Sequence, residues 1–161
     1  MRIFTIASVL VLLSSVAWAQ QPTPRAAPPT DPTKAAFMSA ADIAAALAKP
    51  GNVPIFNLAP YAVGIEHRLP VPQAAASHDH DAELFYVLDG AATLVTGGRL
   101  VNPTRPNPNN QTGTAIEGGV AQALGKGDFV MVPEGVPHWF SEIKGSLTQI
   151  ALHLPRSPQQ Q

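Results

Sequence analysis

The chain of 161 residues contains no cysteine, so neither a disulfide framework nor a thiolate metal site nor a lipid-acylated cysteine is available to it. Charge is scarce as well. Only 13% of residues are Asp, Glu, Lys or Arg and the formal net charge is −1, which leaves no basic footprint for nucleic acid and no polybasic patch for a membrane surface. Aromatic residues make up 6%, so a core must be built mainly from aliphatic side chains. The surface has to draw on Gln, Asn, Thr, Ser and the 17 prolines. The length suits one domain with a modest core. With no disulfides, stability has to come from burial and from a partner subunit.

The single long apolar run lies at the start. Arg2 precedes the mostly apolar Ile3–Val16, and Ala17-Trp18-Ala19 forms a small-x-small site before Gln20. This pattern predicts a signal peptide over 1–19, cleaved after Ala19, and an exported protein, periplasmic or secreted, with no stable membrane anchor after cleavage. Residues 20–38 are expected to be a linker, because Pro22, Pro24, Pro28, Pro29 and Pro32 recur among small and polar residues. A short helix is predicted within 39–58, capped by Ser39, acidic in its first turn at Asp42 and stopped by Lys49-Pro50-Gly51. Its Ile43, Ala46 and Leu47 suit packing on a sheet.

Beyond that point the pattern changes to short strands between breakers. Tyr61, Val63, Ile65, His67 and Leu69 alternate with Ala62, Gly64, Glu66 and Arg68, predicting a strand with the first set facing the core and Glu66 and Arg68 solvated or subunit-facing. His67 reads as a hydrogen-bonded core or interface residue. Leu84–Leu88 and Ala92–Thr96 flank Asp89-Gly90-Ala91 and are predicted to form a hairpin. Residues 102–113 carry Pro103, Pro106, Pro108 and the Asn107, Asn109, Asn110 cluster, which predicts a long irregular excursion, either a lid or a passive loop. Strands resume at Thr114–Ile116, Val120–Leu124 and Phe129–Val132. The run Leu147–Leu154 is apolar on both parities, as in a buried strand, and His153 within it reads as structural.

Two motifs carry chemistry. From Gly127 to His138 the sequence reads G-x5-P-x-G-x2-H: a turn, a four-residue apolar strand, a second turn and a histidine. Upstream, Ser77–Gly90 holds His78, His80 and Glu83, with E-x6-G spacing from Glu83 to Gly90. Neutral imidazoles and a carboxylate together suit iron, manganese, zinc, nickel or copper, and leave positions open for a ligand. Asp79 and Asp81 sit in the same hydrophilic stretch.

Taken together the two motifs resemble those of small single-domain cupins of the type-2, conserved-barrel kind, over about 59–155. The resemblance implies an all-β jelly-roll barrel, a divalent transition metal inside it, and a homodimer. It implies metal ligation by His78, His80, Glu83 and His138. The family's H-x-H is usually followed by three or four residues before the glutamate, however, whereas only Asp81 and Ala82 intervene here. Either both histidines bind and the loop is tight, or His78 occupies the second histidine position, Ala76 the first, and the set is His78, Glu83 and His138. Glu142 stands where the second motif usually has asparagine. The expected function is an exported cupin that acts on a small organic molecule by oxygenase-, isomerase- or lyase-like chemistry. The alternatives are a non-catalytic binding module or a metal-free one. Residues 156–161 are expected to be a flexible tail.

Overall fold

The computed structural model describes residues 30–48 and 51–156. The expected signal peptide, most of the linker and nearly all of the tail lie outside the described residues. One helix, α1 (Ala40–Leu47), precedes eleven strands: β1 (Gly51–Leu58), β2 (Tyr61–Arg68), β3 (Ala75–His78), β4 (Asp81–Thr96), β5 (Arg99–Val101), β6 (Thr104–Asn107), β7 (Asn110–Gly113), β8 (Ala115–Glu117), β9 (Val120–Gly125), β10 (Phe129–Val132) and β11 (His138–Pro155). The fold is all-β, as the turn-punctuated strand pattern predicts. No helix among the described residues is long and apolar enough to cross a membrane.

The Ser39 hydroxyl accepts from the Asp42 amide at 3.1 Å and the Asp42 carboxylate returns a bond to the Ser39 backbone, a capping box that fixes the start of α1. The helix does not pack as expected. Ile43, Ala46 and Leu47 are half-buried and no residue of α1 is buried. The lead-in after it is itself a strand, since β1 pairs antiparallel with β2 from Gly51 to Leu58.

Strands β4 and β11 organise the barrel. Both are long, bent and antiparallel to each other along most of their length. The hairpin expected at Asp89-Gly90-Ala91 is a bend inside β4. Gly90 has φ +88°, and a Cβ there would lie 2.0 Å from the Ser146 carbonyl oxygen, so only glycine lets β11 come this close. Both halves of β4 therefore pair with β11 rather than with each other. The bend also switches side-chain parity: Glu83, Phe85 and Val87 are buried before it, Ala92 and Leu94 after it.

Strand β11 has a matching device. Its register against β4 shifts between Phe140 and Glu142, between Lys144 and Leu147, and between Thr148 and Gln149. Buried positions accordingly pass from His138 and Phe140 to Ile143, then to Leu147, Gln149 and Ala151. The core gathers where the two strands cross, at Phe85, Val87, Leu94, Phe140 and Leu147. Full burial of side chains of this size stabilises by about 1.5–3 kcal/mol each before entropy is counted.

The parity expected for β2 holds only in part. Ile65 is buried, as expected, but Glu66 on the other parity is buried too and lies across from Gln149, in register with Asn52 on its other side, while Val63 is half-buried. Arg68 Nε and Nη2 donate to Glu66 Oε2 at 3.0 and 2.6 Å, Gln149 Nε2 donates to the same oxygen at 2.9 Å, and the guanidinium sits 4.7 Å from the Phe140 ring centroid. Glu66 and Arg68 are thus an interior network, not a solvated pair. His67 pairs with Thr148 Oγ1 at 3.0 Å on the other face.

Residues 102–113, expected to be irregular, form the β6–β7 hairpin around Pro108-Asn109, and β7 extends the sheet through β3. Prolines are tolerated because β6 is an exposed edge strand.

Candidate metal centre

Glu83 is the hub of a cluster on the barrel interior. The residue is 4% exposed, which is rare for a charged side chain without partners. Oε2 lies 3.2 Å from His78 Nε2 and 3.1 Å from His138 Nε2, and Oε1 lies 3.5 Å from His153 Nε2. Ligand atoms of His78, Glu83 and His153 all fall within 4.8 Å of one another. His138 joins this triad through the oxygen it shares with His78, and its ring centroid is 5.3 Å from that of His78.

Three strands supply these side chains, β11 contributing both His138 and His153. His78 ends β3, where Ala76 pairs with His138, and its carbonyl accepts from the Gly135 amide at 2.7 Å, so the Pro133-Glu134-Gly135 turn holds the His78 strand in place. Glu83 opens β4 opposite Val132 of β10. His153 lies directly across from Glu83 in the β4–β11 ladder. Phe85 backs the cluster, its ring 5.9 Å from that of His138.

The outer nitrogens are also engaged. His78 Nδ1 is 2.6 Å from Asn110 Oδ1, and His138 Nδ1 is 3.4 Å from the Val136 carbonyl. Burial lowers the His78 pKa, but hydrogen bonds to Glu83 and Asn110, with the charges of Glu83 and Asp81, outweigh it and hold the ring above the ordinary imidazole value. For Glu83, burial raises the pKa. Hydrogen bonds from His138 and His78 and the charges of His138 and His153 prevail, keeping the carboxyl well below the usual carboxylate range.

Among the residues expected to ligate, His78, Glu83 and His138 converge and His80 does not. His80 is exposed, because β3 ends at His78 and the chain bends through Asp79 and His80, so strand alternation stops before it could turn His80 inward. His153, expected to be structural, takes a place in the cluster instead. Parity hid it, since an odd separation from His138 puts it on the opposite face of a regular strand. The register shifts of β11 bring it back. Asn110 was also missed, lying in a stretch that read as irregular.

Asp79 and Asp81 are taken up by the β6–β7 hairpin. Arg105 Nη1 donates to Asp79 at 2.5 Å and depresses its carboxyl pKa, while Asn109 Nδ2 donates to Asp81 at 2.7 Å.

Two bent strands crossing to form both walls of a barrel, with a His/Glu cluster inside one end, are the expected jelly-roll β-barrel. Among solved structures the chain is similar to a Bacillus halodurans protein at 14% identity, covering 80% of this chain and 87% of that one, with a TM-score of 0.54. The chain folds as a cupin-type domain. A cupin protein from Bacteroides fragilis aligns at 14% identity over 68% of this chain and 80% of its own, with a TM-score of 0.47. A conserved Klebsiella pneumoniae protein with a double-stranded β-helix domain aligns at 16% over 66% and 77%, also at 0.47. No family model matches the sequence, and no curated protein matches it. At such identities the likeness to these neighbours concerns the fold.

Proposed function

We propose that the cupin barrel binds one divalent transition metal through His78, Glu83, His138 and His153 and presents it to a small organic molecule. One observation carries the reading. Two imidazole Nε2 atoms converge on a single carboxylate oxygen while their Nδ1 atoms lie nearest acceptor oxygens. A neutral imidazole has one proton, so it cannot serve both sides. Either the rings are protonated or a cation belongs between the Nε2 atoms and Glu83. Three nitrogens and a carboxylate suit iron, manganese, zinc, nickel or copper. When bound, such an ion supplies Lewis-acid polarisation of a ligand oxygen. Asn110 and the Val136 carbonyl orient the rings, and Phe85 keeps the inner wall apolar.

Elemental analysis of the purified protein tests this. About one metal per chain in the wild type, lost in Glu83→Ala, supports it; a wild type that takes up no metal from supplemented buffer refutes it.

Binding without turnover is the second reading. It is favoured by the engagement of Asp79 and Asp81 with the hairpin, which leaves neither free to serve as an acid or base beside the cluster. Oxygenase-, isomerase- or lyase-like chemistry would have to draw its proton transfers from the ligands or the substrate.

A homodimer is part of the proposal. The outer face of the β10–β4–β11–β2–β1 sheet carries in-register apolar rows, Phe129–Tyr86–Ile150–Ile65–Val53 and Met131–Leu84–Leu152–Val63–Phe56. Phe129 and Met131 are 68% and 51% exposed, and a second copy would cover them. Export to the periplasm or medium rests on residues 2–19 alone.

A further inference from the structure

The first register shift of β11 changes where a carboxylate points. His138 and Phe140 are buried, and regular alternation would turn Glu142 into the barrel after them. The ladder slips between Phe140 and Glu142, so Ser141 and Glu142 are both exposed and both meet Thr93. Ser141 Oγ donates to the Thr93 carbonyl at 3.3 Å, and Thr93 Oγ1 donates to Glu142 Oε2 at 3.2 Å. Ile143 takes the buried place instead. The glutamate that stands where the second motif usually has asparagine is thereby turned outward.

There it borders a hollow of about 340 Å³, walled on one side by Pro70, Val71 and Pro72 of the loop between β2 and β3 and on the other by Trp139 and Ile143. Hydrogen bonds fix these walls. Gln73, 4% exposed, donates from Nε2 to the Val71 and Leu69 carbonyls at 2.8 and 3.4 Å and accepts from Arg68 Nη1 at 3.1 Å. Its carbonyl accepts from Trp139 Nε1 at 2.9 Å, so the indole has its N–H engaged and offers the hollow carbon surface. Glu142 is the one charged residue lining the space. Among the described residues Arg68, Arg99, Arg105 and Arg156 pair with Glu66, Glu117, Asp79 and Glu134, and no ion pair reaches Glu142.

A single carboxylate beside an indole and two pyrrolidine rings suits an organic ammonium. The carboxylate and the ring both attract its charge, while an apolar body covers the prolines and Ile143. A metal ion would find one carboxylate and too few further oxygens. The volume lies within the range of about 300–1,000 Å³ usual for small-molecule sites. We propose that this hollow, outside the barrel and separate from the metal centre, binds a small primary amine with an apolar body.

Trp139 supplies the readout, because Trp18 is the only other tryptophan. In the full chain carrying Trp18→Phe, 2-phenylethylamine is expected to change the emission saturably. It should bind about three- to tenfold more tightly than 2-phenylethanol, which has the same body without the charge. Glu142→Gln should remove that advantage, and so should Val71→Lys, which sets a like charge on the rim at a position 40% exposed. Both sites are exposed, so melting temperatures should stay at the wild-type value. None of His78, Glu83, His138 and His153 lines the hollow, so titrations with chelator and with zinc should coincide. Absence of saturable binding, an ammonium advantage that survives in Glu142→Gln, or binding that requires zinc overturns the proposal. Zinc stoichiometry is read separately, so the metal reading stands or falls on its own.

Discussion

His153 and Glu83 face each other across the β4–β11 ladder, with His153 Nε2 3.5 Å from Glu83 Oε1. If His78 takes the second histidine position of the upstream motif, Ala76 falls at the first, and in the proposed centre His153 supplies from β11 the imidazole that Ala76 lacks. Replacing His153 by Ala should therefore weaken metal binding by more than about 100-fold, more than loss of an outer partner does. His80→Ala, which alters an exposed bend, should leave affinity unchanged. Titration with a chromophoric competitor measures both.

Asn110 reaches His78 from the far hairpin at 2.6 Å. Asn110→Leu removes the acceptor that orients the ring, and metal affinity should fall by about 10- to 100-fold. The circular dichroism spectrum should be unchanged, since β7 keeps its ladder to β3.

The metal-free and metal-loaded proteins should respond to pH in opposite directions. Glu83 has a depressed pKa, so its stabilising contribution is present above about pH 4.3 and is lost as pH falls through the lower folded value. His78 has a raised pKa, so its contribution is complete below about pH 6.5 and is lost as pH rises through the folded value. The cluster thus stabilises the metal-free protein most between about pH 4.5 and 6.5. Metal must displace protons from the same rings, so its affinity should rise from pH 6 to pH 8. Melting temperatures with chelator and with zinc over that range check both signs.

Much of this was legible in the sequence. The second motif predicted β10 at Phe129–Val132 and placed His138 at the start of the next strand, because turn residues and a short apolar run are local signals. Glu83 and His78 were found the same way. His153 and Glu66 were not, and the reason is common to both. Inside and outside are set by which sheet face closes the barrel, and the period-two pattern carries no such sign. On β2 both parities are buried, at Ile65 and at Glu66. On β11 the register shift after Phe140 reverses the parity that connects His138 to His153.

Gly90 gives a test of the fold independent of metal. Gly90→Ala meets both a positive φ and the Ser146 carbonyl, and should destabilise by about 2–3 kcal/mol in urea unfolding. Gly97 also has a positive φ, of 75°, but nothing lies near its missing Cβ, so Gly97→Ala should cost about 1 kcal/mol.

The outer apolar rows predict association. Phe129→Lys should convert a dimer to a monomer in light scattering, with the melting temperature becoming independent of concentration.

The most direct measurement is metal stoichiometry of wild type, His153→Ala and His80→Ala, each equilibrated with zinc, dialysed and analysed side by side. The account predicts about one ion per chain in wild type and His80→Ala, and little in His153→Ala. A metal-free wild type, or full retention in His153→Ala with loss in His80→Ala, would contradict it.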